Sequence, residues 1–464
     1  MAGLRAKLAA TRLLAAAVRR SGRGGGTSLP GMVILRLEPH AIRDLAKRLP
    51  RGSAVISATN GKTTTAAMVA QILDQAGVSL VHNTSGANMA GGIAATLVNA
   101  ATANGINGAQ GLFEVDEFWL GQLVAELEPR VLLLANLFRD QLDRYGELDT
   151  IAERWAEVIA ANPDTQLVLN ADDPLIADLA DDTKQPLYFG FEDRSVALAE
   201  MQHASDSKHC RRCGGLYEYE TIYLGHLGLY RCPGCGFQRP APQITATEVS
   251  LDGTSGSSFT LTTPAGSDRI SLPLPGLYNV YNALAAAALA HALNVPTEQI
   301  SAGLQASSAA FGRAETVSIG DADLQLLLIK NPAGANEVLR TLALEQQELD
   351  VLGVLNDRIA DGRDVSWIWD ADWELLAGRI RRITCAGTRA AELGLRLKYA
   401  GVPAERIRVV PELGAALDAA LSEAPASPTG RRRLYAVPTY TAMLALRDEL
   451  TRRGHVSAYW EKTA

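Results

Sequence analysis

The chain has 464 residues, 47% hydrophobic and 20% charged; this is a globular composition, of about three domains' length, and excludes a disordered protein. Lys and Arg number 44 against 51 Asp and Glu, a net charge of −7, which argues against broad binding to nucleic acid. No run reaches the about 18 apolar residues of a membrane span, and five cysteines are too few, and odd in number, for a disulfide scaffold.

Residues 1–50 read as an Ala/Arg-rich helix, a glycine-rich break at 22–26 and a second helix near 39–49. The apolar stretch 8–18 lies beside Arg5, Lys7, Arg19 and Arg20. Arg12 interrupts it and Arg-Arg-Ser-Gly-Arg-Gly follows, so an amphipathic surface helix is expected rather than a secretion signal. Residues 54–57 form a short apolar run, followed by a polar glycine turn and a helix over 64–76, which is how an α/β nucleotide site begins. Strands over 111–115, 130–135 and 166–170, with a helix over 151–161, predict a mostly parallel sheet covered on both faces.

The texture changes at 203–242, which carries four cysteines, several tyrosines and few aliphatics, too little for its own apolar core. Residues 244–274 read as antiparallel strands, 279–293 as a helix and 307–312 as a linker. A second α/β pattern follows, with strands over 324–329, 351–355, 382–386, 406–410 and 433–437 and helices over 333–344 and 389–399. The expected organisation is an N-terminal helical segment, 1–50, a central α/β domain, 51–306, holding an insert, 203–242, and a C-terminal α/β domain, 312–464.

Ile56-Ser57-Ala58-Thr59-Asn60-Gly61-Lys62-Thr63-Thr64 sits between a predicted strand and a predicted helix. Gly61 lets the backbone approach an anion, Lys62 can sit on the β- and γ-phosphates, and the Thr63 hydroxyl can ligate Mg²⁺ at the helix N-terminus. Ile56 breaks the strict G-x-x-x-x-G-K-[ST] pattern, so the case rests on the strand–turn–helix context; the alternative is an ordinary β–α turn.

Cys210-x-x-Cys213 and Cys232-x-x-Cys235 are separated by 18 residues, the spacing of a tetrahedral Cys₄ zinc ribbon. Gly214, Gly215, Gly234 and Gly236 allow tight turns around the sulfurs. Four thiolates close the coordination sphere, so Zn²⁺ is expected to be structural and to replace the core the insert lacks. An iron site or a redox pair is the alternative. His209 and His226 are expected to be bystanders.

Further on, Asp357, Asp361 and Asp364 share one loop after a predicted strand, where α/β sheets place ligands. Trp367 and Trp369 follow, suited to packing the loop down or to meeting a partner; a solvated acidic turn over core tryptophans is the plainer reading.

Six stretches, in order, resemble the Mur ligases and folylpolyglutamate synthases. Thr59 to Thr64 resembles their ATP loop, with Ala58 where they usually have Gly. Phe113-Glu114-Val115-Asp116 resembles the strand whose Glu helps bind Mg²⁺. Asn136-Leu137-Phe138-Arg139-Asp140-Gln141-Leu142-Asp143 resembles Asn-x-x-x-Asp-His-Leu-Asp, and Asn170-Ala171-Asp172-Asp173-Pro174 their Asn-x-Asp-Asp-Pro turn. Gly276-Leu277-Tyr278-Asn279-Val280-Tyr281-Asn282-Ala283 resembles the segment near the adenine, and Gly312-Arg313 the arginine that reaches the phosphates. The resemblance assigns ATP to Thr59, Asn60, Gly61, Lys62, Thr63, Thr64, Asn282 and Arg313, and Mg²⁺ to Thr63 and Glu114. Gln141 replaces a metal-holding His; an amide can ligate Mg²⁺ but is a poorer base, so a positioning role is expected.

An inserted ribbon narrows the resemblance to the MurT family, the Mur-like synthetase subunits of lipid II isoglutaminyl synthases. Lys330-Asn331-Pro332-Ala333-Gly334 and the stretch from Asn356 to Asp370 resemble that family's C-terminal motifs. The implied fold is α/β: a Mur-ligase-like central ATPase domain with a Cys₄ zinc ribbon, then a Rossmann-like C-terminal domain. The implied activity is ATP-dependent amidation of the α-carboxylate of D-glutamate in the lipid II stem peptide, through an acyl phosphate, with Lys62 and Glu114 catalytic. Ammonia would come from a GatD-like class I glutaminase in a heterodimer, with Asp364 completing that partner's Cys–His pair and Asp357 and Asp361 as fallbacks. Cys385 lies in an apolar stretch with no sequence feature placing a His beside it, so this chain is not expected to hold a glutaminase itself. The alternatives are a Mur or folylpolyglutamate-type ligase that adds an amino acid, and a non-catalytic scaffold. A cytoplasmic location is implied; the basic N-terminal helix is either a solvated face or a contact with anionic lipid at the inner membrane face.

Overall fold

The computed structural model describes residues 29–83, 87–102, 105–140, 148–180, 185–202, 205–308, 313–423 and 430–456. The expected basic N-terminal helix, Gln141 and Gly312 lie outside these residues.

A nine-stranded sheet holds β1 (Ser53–Ser57), β2 (Leu80–His82), β3 (Gln110–Glu114), β4 (Val131–Leu134), β5 (Gln166–Asn170), β6 (Leu187–Phe191), β9 (Ile244–Asp252), β10 (Gly256–Thr263) and β11 (Gly266–Leu272). Their order is β11-β10-β9-β6-β5-β4-β1-β3-β2. The strands from β1 to β6 pair in parallel, β9 joins β6 in parallel, and the β9-β10-β11 edge is antiparallel. β1 is buried throughout, so its side chains feed two cores. Ala54 and Ile56 join the core under α3 (Lys62–Gln75), α8 (Leu277–Ala292) and α9 (Thr297–Gln305). Val55 joins the opposite core, under α1 (Leu29–Leu37), α2 (Ala41–Ala46), α4 (Ala90–Ala100), α5 (Leu120–Leu127), α6 (Leu148–Ala161) and α7 (Pro174–Ala177). The period of two along a strand is what lets one apolar run serve both faces.

The second sheet has six strands: β12 (Arg313–Ile319), β13 (Ala322–Leu327), β14 (Leu349–Val354), β15 (Ile380–Ala386), β16 (Ile407–Val409) and β17 (Arg432–Pro438), in the order β12-β13-β17-β14-β15-β16. Only β12 pairs antiparallel. α10 (Pro332–Ala343) and α11 (Ala390–Tyr399) cover one face, α12 (Leu413–Glu423) and α13 (Tyr440–Arg452) the other. Cys385 is fully buried here, as expected.

The predicted strands fall within two residues of observed ones. The helix expected to start at 64 starts at Lys62, which puts Lys62 and Thr63 in its first turn, where backbone N–H groups lack intrahelical partners. The insert contains the hairpin β7 (Glu218–Leu224) and β8 (Leu227–Arg231). Its inner end has no apolar core of its own and borrows one: Tyr223, Leu224 and Leu227 pack into the central core with α8.

Candidate active site

The turn after β1 is fixed by one asparagine. Asn136 accepts the Asn60 N–H at its Oδ1, 2.9 Å away, and donates from Nδ2 to the Asn60 carbonyl at 3.0 Å. Thr59 donates its N–H to the Asn136 carbonyl at 3.0 Å, and its hydroxyl accepts the Phe138 N–H at 3.0 Å. Gly61 then opens α3 at φ 85°. A Cβ there would lie 2.0 Å from Asn282 Oδ1, so both the backbone angle and the space demand glycine. Gly61→Ala is expected to lower stability by about 1–3 kcal/mol and to abolish nucleotide binding, measured by thermal unfolding and ADP titration.

Lys62 turns its ammonium onto Glu117 Oε2 at 3.0 Å and onto the Ala58 carbonyl. The two side chains of the ion pair are 9% and 10% exposed. Burial works to raise the Glu117 pKa, but Lys62 and then Lys330 overcome it and hold the carboxyl below its ordinary range. Burial raises Asp116 next door, with the Glu117 charge adding to it. The Thr63 hydroxyl donates to Glu114 Oε1 at 3.1 Å. Glu114 ends β3, and the Asn83 side chain brackets its backbone, accepting its N–H at 2.9 Å and donating to its carbonyl at 2.8 Å. A hydroxyl and a carboxylate oxygen side by side form the hard donor set that suits Mg²⁺.

These groups share one cleft of about 330 Å³. Lys62, Thr63 and Glu114 line one part, and Phe189, Leu224, Leu227 and Leu274 give it an apolar part. Asn282 reaches the phosphate turn itself, accepting the Thr65 hydroxyl at 3.3 Å. Arg313 opens β12, and its side chain lies outside the described residues. From the C-terminal domain Lys330, which pairs with Asp140, lines the cleft, and Asn331 beside it reaches the phosphate turn. Asn331 and Asn60 exchange two amide hydrogen bonds, at 3.0 and 3.3 Å.

The three carboxylates after β14 have different surroundings. Asp361 is buried and accepts the Thr441 N–H at 2.7 Å, together with the Thr441 hydroxyl, at the start of α13. Asp357 accepts Thr388 Oγ1 and Arg389 Nε, each at 2.8 Å. Asp364 is exposed and accepts the Ser366 N–H at 2.8 Å; Ser366, through hydroxyl and then N–H, holds it below the ordinary carboxylate range. The solvated-turn reading therefore fails for Asp361 and fits Asp364. Trp369 is 47% exposed while Trp373 is buried.

The four ribbon thiols converge, their sulfurs all within 4.8 Å of one another. Cys210 and Cys235 Sγ are 3.6 Å apart, Cys213 and Cys232 3.4 Å, near the about 3.8 Å edge of a tetrahedron with 2.3 Å metal–sulfur bonds. Gly214 and Gly236 turn at φ 74° and 79°, donating to the Cys210 and Cys232 carbonyls. A Cβ on Gly234 would sit 3.2 Å from Cys213 Sγ. Chiefly the Cys235 N–H lowers the Cys232 thiol to about 7. The donor set fits a closed, tetrahedral, thiolate-bound metal. His226 is no ligand among these; it is fully buried, 3.4 Å from Asp173.

The family model for the Mur ligase middle domain matches residues 56–230, and that for the MurT ligase C-terminal region matches 328–443. The subunit MurT of lipid II isoglutaminyl synthase (glutamine-hydrolyzing) from Streptococcus pneumoniae is 35% identical over 434 residues, covering 93% of each chain. The chain belongs to the MurT family. The Staphylococcus aureus N315 MurT subunit is 32% identical over 92% of this chain and 93% of its own. Among solved structures, a pseudomurein peptide ligase type C from Methanothermus fervidus matches with TM-score 0.65 at 23% identity, over 88% of this chain and 80% of its own. A folylpolyglutamate synthase from Mycobacterium tuberculosis, complexed with ADP and AMPPCP, matches at TM-score 0.60 and 18% identity, over 91% and 98%. These structures share the Mur ligase fold.

In this MurT-family chain, sequence reasoning assigned no role to Glu117, Asn136, Lys330 or Asn331. Glu117 follows Asp116 directly and stands three positions after Glu114, so the acidic cluster at the end of a strand was its available signal. Asn136 and Asn331 each stand in a stretch singled out for resemblance, but nothing local reveals that both act on Asn60.

Proposed function

We propose that this chain is the synthetase subunit of an amidotransferase that converts the D-glutamate α-carboxylate of the lipid II stem peptide to D-isoglutamine. The observation that carries the reading is the Lys62–Thr63–Glu114 group in one cleft of a chain MurT-like over 93% of its length. In the proposed reaction a substrate carboxylate oxygen attacks the γ-phosphorus of ATP and ADP leaves. Ammonia then attacks the acyl carbon, phosphate departs, and the nitrogen loses a proton to give the amide. Mg²⁺, held by Thr63 and Glu114, would neutralise charge on the transferred phosphoryl. Lys62 moves from Glu117 to the phosphates and stabilises the same charge. Arg313 is assigned to the phosphates, Asn282 to the nucleotide and Gln141 to positioning.

Ammonia is assigned to a GatD-like class I glutaminase. Asp364 is the carboxylate offered to that partner, because Asp357 and Asp361 are engaged within the chain. Residues 51–306 and 312–464 are read as the central and C-terminal domains, supported by the two separate sheets. No described helix is long and apolar enough to cross a membrane. The lipid-linked substrate is assigned to the membrane surface.

The test is mass spectrometry of lipid II after incubation with ATP, Mg²⁺ and either ammonium or glutamine, with and without a co-expressed class I glutaminase. Amide formed from glutamine only with the partner is expected. ADP release driven by amino acids without amidation would identify a peptide-adding ligase instead.

Zn²⁺ is assigned to the four thiols. One zinc per chain is expected by elemental analysis, and chelation is expected to lower the melting temperature by about 5 °C or more.

A further inference from the structure

The end of the ribbon remote from its thiols faces the nucleotide cleft. β7 leads inward from Cys213 to the turn Leu224-Gly225-His226-Leu227, and β8 returns to Cys232. Leu224 and Leu227 are 5% and 2% exposed and line the cleft beside Phe189, Leu274, Asn279 and Tyr281. Phe189 belongs to β6, three positions from β1 in the sheet. At 4.8 Å per strand, that sets Phe189 about 14 Å from the phosphate turn, a separation suited to the two ends of a nucleoside triphosphate.

The turn is built into both domains. The Gly225 N–H donates to Gln202 Oε1 at 2.8 Å, and its carbonyl accepts the Ser205 hydroxyl at 2.8 Å. The Gly228 N–H donates to the Asp172 carbonyl at 2.9 Å, and the Tyr230 hydroxyl to the Ala171 carbonyl at 3.2 Å. The His226 ring packs 4.8 Å from Phe138, whose N–H is held by Thr59 of the phosphate turn. From the other domain, Arg340 of α10 donates to the Tyr223 carbonyl at 2.8 Å.

We propose that this ribbon turn is the base-recognition wall of the nucleotide site. Leu224 and Leu227 cover one face of the adenine, and closure of the thiols around their metal keeps β7 and β8 in register so that the wall stays seated. Metal occupancy thereby sets nucleotide affinity. The inference rests on the ATP site proposed above and adds where its base subsite comes from: the insert, not the central sheet alone.

The experiment is calorimetric titration of the full, zinc-loaded chain with Mg·ADP and, separately, with inorganic tripolyphosphate, which needs only the phosphate turn. Leu227→Ala removes the wall and Leu227→Phe fills the slot while keeping its apolar bulk. Each is expected to weaken ADP about tenfold or more while moving tripolyphosphate less than about twofold. Cys213→Ser, with loss of zinc confirmed by elemental analysis, is expected to give the same split. Unchanged ADP affinity in the Leu227 variants would overturn the proposal. So would parallel loss of both ligands, which would make the turn a support of the fold and not a base contact. Wild-type protein that binds neither ligand would overturn the ATP site and this wall with it. Failure of the amidation reading is registered separately, by the lipid II assay.

Discussion

Lys62→Ala is expected to lower lipid II amidation about a thousandfold, about 4 kcal/mol in transition-state free energy. Lys62 stands in the first turn of α3 and its ammonium pairs with Glu117 where both side chains are little exposed, so the charge it brings to the phosphates in the proposed reaction is little screened. The variant also leaves Glu117 buried without its nearest cation. Glu117 is a carboxyl with a depressed pKa, so its stabilising pairing is complete above its unfolded pKa of about 4.3 and is lost as pH falls through the lower folded value. Without Lys62, burial is opposed by less positive charge and the folded pKa rises. Acid unfolding of Lys62→Ala, followed by circular dichroism, is therefore expected to begin at higher pH than in the wild type. Wild-type amidation by the variant would remove Lys62 from the site.

Asp364→Asn is expected to separate two activities. Glutamine-dependent amidation, measured with the glutaminase partner, should fall about ten-thousandfold, the scale seen when the orienting carboxylate of a catalytic triad becomes an amide. Ammonium-dependent amidation should stay within about twofold, because the cleft holding Lys62 and Glu114 does not include Asp364. The change is gentle to the fold, since the exposed side chain accepts one N–H, from Ser366, and an asparagine oxygen can do the same. Asp361→Asn is the contrasting variant. It weakens the anchor at the start of α13 and is expected to cost about 1–2 kcal/mol of stability by denaturant unfolding. Equal loss with ammonium and glutamine in Asp364→Asn would assign the residue to the synthetase reaction instead.

The features legible in the sequence were local. The Cys-x-x-Cys pairs state their own geometry, and strand–turn–helix around Gly61 and Lys62 is contained in a few consecutive residues. The parallel strands were readable because burial on both faces leaves unbroken apolar runs such as Val131–Leu134. What was not legible joins distant segments. Nothing near Asn60 announces Asn331, and nothing in the ribbon announces that Leu224 and Leu227 reach the core of another unit. β2 has three residues, too few for a periodic signal. His226, expected to be a bystander to the metal, has another part: its burial against Phe138 ties the insert to the loop after β4.

Two neighbouring links between the C-terminal domain and the central one differ in kind. Asn60 and Asn331 are neutral amides, so their mutual grip owes nothing to charge and is indifferent to ionic strength and to pH over the whole range in which the protein is folded. Lys330 and Asp140, beside them, form an ion pair with a partly exposed lysine, which dissolved salt weakens. The cleft therefore has a clasp that ignores its medium and another that responds to it. Rising ionic strength should loosen the second while the first still keeps the domains in register.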